Sequence, residues 1–207
     1  MSQYFRIHPQ NPQPRLIAQA VTLIRAGAVI AYPTDSSYAL GCSLGDKSAM
    51  ERIRRIRQVD ENHEFTLVCR DLAQGSAYAQ VDNVAYRTIR AVTPGAYTFI
   101  LKATHEVPRW LQTPKRKTVG LRIPDHRIAQ ALLEALAEPL MSVTLILPGE
   151  DVPMSDAEEI AQALGKQVDL IIDGGNTGLE PTTVVDLVEG TPVVVRRGTG
   201  DATLFES

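Results

Sequence analysis

The segment PRLIAQAVTLIRAG sets Leu16, Ile17, Ala20, Val21 and Ile24 at helical spacing and ends at Gly27, a natural C′ residue, which predicts a helix over 14–26. The apolar run at 28–32, closed by Pro33, reads as a buried strand. A capping-box pattern, SAME at 48–51, predicts a helix through about 58, and FTLVC at 65–69 a strand. Asp71 and Asp82 suit the N-caps of two further helices, interrupted by Pro94-Gly95. Strands over 97–101, 118–123 and 140–147, a helix over 127–136 and a helix from Ser155 with Glu158 completing a capping box continue the alternation. The apolar runs at 168–172, 183–187 and 192–196 are separated only by Gly-containing loops, so they are expected to pair antiparallel. Helices interleaved with strands and closing in hairpins predict an α/β fold, a twisted mixed β-sheet flanked by helices.

Composition adds boundaries. A chain of 207 residues, 44% hydrophobic and 22% charged, is long enough for one compact domain over 1–207. Two cysteines, Cys42 and Cys69, are too few for a disulfide framework and suit a reducing compartment. The N-terminal MSQYFRIHPQNPQP has no basic start followed by an apolar core, and no later apolar run reaches about 18 residues, so a soluble, cytoplasmic protein without a membrane span is expected. The net charge of −3 argues against indiscriminate nucleic-acid binding. Local basic clusters at 52–57 (RIRRIR), 115–117 (KRK) and Arg196-Arg197 are either solvated faces or phosphate contacts.

The sequence has no P-loop, no G-x-G-x-x-G between strand and helix, and no G-x-S-x-G elbow. The four histidines are isolated, which argues against a zinc site. GGNTG at 174–178 is either a loop that needs positive φ or an anion cradle. In AYPTDSSYALGC at 31–42 the polar cluster from Thr34 to Tyr38 follows a strand, where α/β sheets gather ligands, but Pro, Asp and Ser also favour plain turns. On the next helix Arg57 projects inside the apolar arc of Met50, Ile53 and Ile56, whereas Arg52 and Arg55 lie outside it. Arg57 either complements the helix dipole with a snorkelling stem or points into an anion-binding cleft.

YPTDSSYALG at 32–41, the Arg-rich helix, TPGAYT at 93–98, VGLRIP at 119–124, PLMS at 139–142 and TTVVD at 182–186 ahead of VRRG at 195–198 form an ordered set. Along about residues 10–198 it resembles the YrdC/YciO family, and within it the YciO branch. The resemblance implies a deep, positively lined cleft that binds nucleotides and double-stranded RNA. The family's enzymes, threonylcarbamoyl-AMP synthases, combine L-threonine, bicarbonate and ATP with Mg²⁺ into threonylcarbamoyl-AMP and pyrophosphate, for threonylcarbamoyladenosine at position 37 of tRNA. By that resemblance Thr34, Tyr38 and Arg122 serve the amino-acid side, and Ser142, Thr144, Thr182, Thr183 and Arg196 the nucleotide. Arg57 falls at the catalytic signature, and no resident metal is implied.

The chain departs from the synthases at two signatures: their K-x-R aligns with Arg57-Gln58-Val59, and their S-x-N with Thr144-Leu145-Ile146. If each lost polar contact were worth roughly 10² to 10³ in rate, the deficit would reach about 10⁴ or more. In the opening motif Ser36-Ser37 replace the usual Thr-Val, and Ala39 a Gly. The expectation is therefore a nucleotide-binding, synthase-like protein of weak or altered activity. The competing readings are a non-catalytic RNA-binding module using Arg52, Arg54, Arg55, Lys115, Arg116, Lys117 and Arg197 on double-stranded RNA or tRNA, and a sensor that keeps only the fold.

Overall fold

The computed structural model describes residues 1–60 and 63–206. Ten strands form one mixed sheet in the order β1-β8-β2-β3-β7-β4-β6-β5-β9-β10. In chain order these are β1 (Gln3–Arg6), β2 (Ile30–Pro33), β3 (Tyr38–Ser43), β4 (Thr66–Val68), β5 (Tyr97–Lys102), β6 (Thr118–Arg122), β7 (Leu140–Thr144), β8 (Leu170–Asp173), β9 (Thr183–Asp186) and β10 (Val193–Arg196). The helices are α1 (Pro14–Arg25), α2 (Lys47–Arg57), α3 (Leu72–Gly75), α4 (Asn83–Val92), α5 (Arg127–Leu136) and α6 (Ala157–Leu164).

Strand pleating divides the apolar side chains between two cores. On one face Ile30 and Tyr32 of β2, Leu140 of β7 and Leu170 and Ile172 of β8 pack with Ile17 and Ile24 of α1 and Leu132 and Leu136 of α5. On the other, Val29, Ala31, Leu40, Leu67, Phe99, Leu121 and Met141 meet Met50 and Ile53 of α2, Ile89 of α4 and Ile160 of α6. Each such large side chain contributes about 1.5–3 kcal/mol when fully buried. The two helices on the first face pack on each other and on β2 and β3, at one end of the sheet only.

Gly27 adopts φ +91° past the end of α1, as its position predicts. Asp71 and Asp82 cap α3 and α4, accepting from the N–H groups of Gln74 and Ala85. Two caps differ from expectation. Asp46, not Ser48, accepts from the Ala49 N–H at the start of α2, and Asp156, not Ser155, caps α6. In each case a carboxylate, the stronger acceptor, stands near the predicted hydroxyl. β1 has no counterpart among the predicted strands, because its four residues alternate too briefly to stand out.

The last three strands only partly pair as expected. β9 and β10 are antiparallel, but β8 runs parallel between β1 and β2, far from β9 in the sheet. Leu170, Ile171 and Ile172 are all 0% exposed, and a strand apolar on both faces needs an interior place that a terminal hairpin cannot offer. The 174–182 loop then crosses to the other end, where β9 pairs parallel with β5.

Cys42 and Cys69 are free and fully buried, and burial pushes both thiols up to about 12. A thiol-specific aromatic disulfide at pH 8 should therefore leave the native chain unlabelled and titrate both cysteines in denaturant. Rapid native labelling would contradict this packing.

Candidate active site

Past α1 and α5, the first face of the sheet is uncovered, and polar side chains join apolar ones such as Val68, Ile100 and Val184. Ser142 and Thr144 of β7, Thr66 of β4, Gly120 and Arg122 of β6, Thr98 of β5 and Thr182 beside β9 form the floor of a cavity of about 330 Å³. Arg57, His63, Glu64, Ile146 and Arg196 complete its walls. A side chain at Gly120 would raise the floor, since a Cβ there meets Thr66 Oγ1 at 3.0 Å and Thr98 Cγ2 at 3.3 Å. The opposite parity of the same strands supplies core residues Leu67, Phe99, Leu121 and Met141. The cavity is thus half a sheet face left open by its helices.

Three guanidinium groups converge on this space. Arg57, in the last turn of α2, donates to the Ile146 carbonyl, and its Nε is buried with no partner among the described residues. Burial lowers its pKa, yet a guanidinium remains charged at neutral pH. Arg196 donates from Nε and Nη2 to the Thr182 carbonyl at 3.2 and 2.8 Å, and burial, then Arg122, lower its pKa. The hydroxyls of Thr182 and Thr98 lie 2.8 Å apart beneath it. Ser142 gives its one proton to the Leu40 carbonyl at 2.9 Å, so the Tyr32 hydroxyl, 2.8 Å away, donates to Ser142.

The third arginine is built into the polar turn after β2. Arg122 Nη2 donates to Thr34 Oγ1 at 3.0 Å, Asp35 Oδ1 at 2.5 Å and Ser36 Oγ at 2.9 Å, and its Nε is buried without a partner among the described residues. Asp35 Oδ2 also accepts from the Asp125 N–H at 2.9 Å. Thr34 donates to the Ser37 carbonyl at 2.6 Å and accepts from the N–H groups of Ser36 and Ser37, which locks the turn. At 8% and 10% side-chain exposure, the Arg122–Asp35 pair is effectively inside the protein, where each charge requires the other.

Of the residues expected at the site, Arg57, Arg122, Ser142, Thr144, Thr182 and Arg196 line the cavity, and Thr34 stands directly behind Arg122. Two expectations are corrected by strand parity. Tyr38 lies on the other face, its ring in the second core and its hydroxyl donating to the Gly175 carbonyl at 2.9 Å, while its neighbour Ala39 faces the cavity. Thr183 is likewise turned away, donating to the Gly200 carbonyl and accepting from the Gly198 N–H at 3.0 Å. The 174–178 loop wraps the back of the turn: Gly174 N–H donates to the Tyr38 hydroxyl, and a Cβ at Gly178 would stand 2.6 Å from the Ser36 carbonyl. His63, Glu64, Thr66, Thr98 and Gly120 were not anticipated; a threonine or glycine interrupting an otherwise apolar strand is the signal that marks the last three.

The basic clusters separate. Arg54 is buried, donates to the Asp60 carbonyl at 2.6 Å and lies 4.9 Å over the Phe65 ring, so it offers no phosphate contact, contrary to expectation. Arg52 pairs with Asp169 at 2.8 Å and Arg197 with Glu206. Lys115, Arg116 and Lys117 are exposed, with Arg116 bound to Asp186 at 2.8 Å. Among the described residues no cluster of three His, Cys, Asp or Glu side chains could hold a metal ion, and no helix is long and apolar enough to cross a membrane.

Comparison with known proteins identifies the family. The family model for Sua5, YciO and YrdC, described as "Telomere recombination", matches residues 22–198. The chain is 62% identical over 205 residues to YciO of Escherichia coli (strain K12), covering 99% of this chain and 100% of that one. The E. coli YciO crystal structure superposes with a TM-score of 0.96 over 99% of this chain and 100% of that one. A threonylcarbamoyl-AMP synthase of Stenotrophomonas maltophilia (strain K279a) is 34% identical over 175 residues, 83% of this chain and 93% of that one. P. abyssi Sua5 in complex with L-threonine has a TM-score of 0.87 at 27% identity, over 95% of this chain and 58% of that one. A chain so matched over nearly its whole length belongs to the Sua5/YciO/YrdC family.

Proposed function

We propose that the cavity binds ATP together with an amino acid and activates the amino acid's carbamate as an acyl-adenylate, with L-threonine and bicarbonate the first substrates to test. The observation that carries this reading is the convergence of Arg57, Arg122 and Arg196 on one hydroxyl-lined cavity. The reaction brings a carbamate carboxylate to the α-phosphorus and releases pyrophosphate, so negative charge gathers on phosphoryl oxygens. Fixed cations and donors in a half-buried site stabilise such charge, and no side-chain nucleophile is needed. Arg57 and Arg196 suit the phosphates, with Ser142, Thr144 and Thr182 on the nucleotide. Arg122, pre-aimed by Thr34 and Asp35, suits the amino-acid carboxylate. Mg²⁺ would arrive on the triphosphate. The relatives named threonylcarbamoyl-AMP synthase and the Sua5 complex with L-threonine support the same chemistry. Free buried thiols fit a cytoplasmic setting.

Weak turnover follows from Ile146, which stands beside Arg57. Ile146 is an apolar side chain in the cavity lining, and its carbonyl takes up an Arg57 donor that would otherwise meet a phosphate. Double-stranded RNA or tRNA as a partner rests on Lys115, Arg116 and Lys117, which are exposed together, with Arg116 close enough to Glu64 at the cavity to influence its charge.

Pyrophosphate release with ATP, Mg²⁺, bicarbonate and L-threonine should be slow but measurable. Arg57→Ala should lower it by about 10²-fold, and Val59→Arg with Ile146→Asn should raise it. No turnover together with no ATP binding at millimolar concentration would remove the reading. Asp35→Ala, which strands Arg122, should cost about 3 kcal/mol in urea unfolding and weaken amino-acid binding more than ATP binding. Double-stranded RNA affinity should fall steeply with salt and weaken in the triple variant Lys115→Ala, Arg116→Ala, Lys117→Ala; salt-insensitive binding would exclude phosphate contacts.

A further inference from the structure

Making a carbamate from an ammonium group liberates a proton, and the cavity must contain something to accept it. The balanced step is R–NH₃⁺ + HCO₃⁻ → R–NH–COO⁻ + H₂O + H⁺. The N–C bond forms, a C–O bond of bicarbonate breaks, and the departing hydroxide leaves as water with one ammonium proton. The other ammonium proton must first pass to a base, because the nitrogen has no lone pair to attack with until that proton is lost.

Five ionisable side chains line the cavity: Arg57, Arg122, Arg196, His63 and Glu64. The guanidinium groups are already protonated and cannot accept. Asp35, the carboxylate behind Arg122, is engaged by Arg122 and the Asp125 N–H. Glu64 is the rival candidate, since burial holds its carboxyl above the usual range, but its charged neighbours are Arg116 and Asp186, outside the arginine cluster. His63 is half-buried, with its ring edge-on to Phe65 at 6.2 Å between centroids. The charges facing it are Arg57 and Arg54 of α2, Asp60 of the following loop and Arg196 of β10. It is the neutral base set among the same cations that suit the reacting anions.

We propose that His63 is the proton acceptor in carbamate formation, taking one proton from the α-ammonium group of an amino acid so that the freed amine nitrogen attacks bicarbonate; this rests on the amino-acid activation reading above. Burial, then the charges of Arg57 and Arg54, hold the imidazole below its ordinary 6.5, with Asp60 pulling the other way, so the ring is neutral at pH 7. Once protonated it is repelled by those same guanidinium groups, which returns the proton to solvent and resets the base.

The test measures pyrophosphate release and acyl-adenylate formation from about pH 5 to 9 for the native chain, His63→Gln and Glu64→Gln, each also titrated with ATP. The native rate should climb through an acid limb centred below about 6.5. His63→Gln should bind ATP as the native chain does, lose about 10²-fold at pH 7, lack the acid limb and recover as pH approaches the amine's own pKa. Glu64→Gln should keep the acid limb, whatever its effect on the rate. A His63→Gln protein that binds ATP and keeps its rate and limb would overturn the proposal alone, as would transfer of the limb's loss to Glu64→Gln. If His63→Gln does not fold, the imidazole titration of the native chain by NMR decides, since its midpoint must coincide with the acid limb and a mismatch of a full unit refutes it. A native chain that binds ATP yet turns over no amino acid would instead overturn the underlying reading, and the proposal with it.

Discussion

A β-strand can present only alternate side chains to one face, and the site depends on that constraint. Strands β4, β5, β6, β7 and β9 spend one parity on the core and the other on the cavity floor. Helices α1 and α5 cover the same face only where its residues are apolar. The protein therefore obtains a polar recess without a dedicated loop: it leaves part of a sheet uncovered and lines it with hydroxyls and a glycine. The core on the opposite face holds each strand in register, so a slip of one residue would exchange the floor for the core.

Fixing the arginines is the second requirement. Arg122 is stable in the interior only because Asp35, Thr34 and Ser36 surround its Nη2, and those residues are ordered by the turn's own hydrogen bonds and by the glycine loop packed behind it. The polar turn is thus a mount for a cation, which reconciles its two sequence readings: it is a turn, and it serves the cavity through Arg122. Arg57 answers its own question in a similar way. It does sit in the last turn of α2, but its head lines the cavity and donates to the Ile146 carbonyl.

Much of this was legible in the sequence because it follows from periodicity. The helices, most strands, the inward direction of Arg57 and the ordered motifs were all visible there. What failed did so for physical reasons. Tyr38 and Thr183 occur in the right motifs but on the wrong pleat, which a motif does not reveal until the strand boundaries are known. Arg54 looked like a surface charge because its partners, the Asp60 carbonyl and the Phe65 ring, come from the next segment. β8 left the expected hairpin because sheet order depends on which strand is apolar on both faces. His63 carried no local pattern, since only the fold brings it beside Arg57 and Arg196.

Under the proposed function, three arginines and a hydroxyl-bearing floor form one site for nucleotide and amino acid. A crystal structure grown with a non-hydrolysable ATP analogue and L-threonine tests it most directly. The account predicts phosphates against Arg57 and Arg196, with Arg57 released from the Ile146 carbonyl, and the amino-acid carboxylate on Arg122. Ligands bound away from this cavity, or a cavity that excludes the nucleotide at millimolar concentration because Ile146 fills its place, would contradict it.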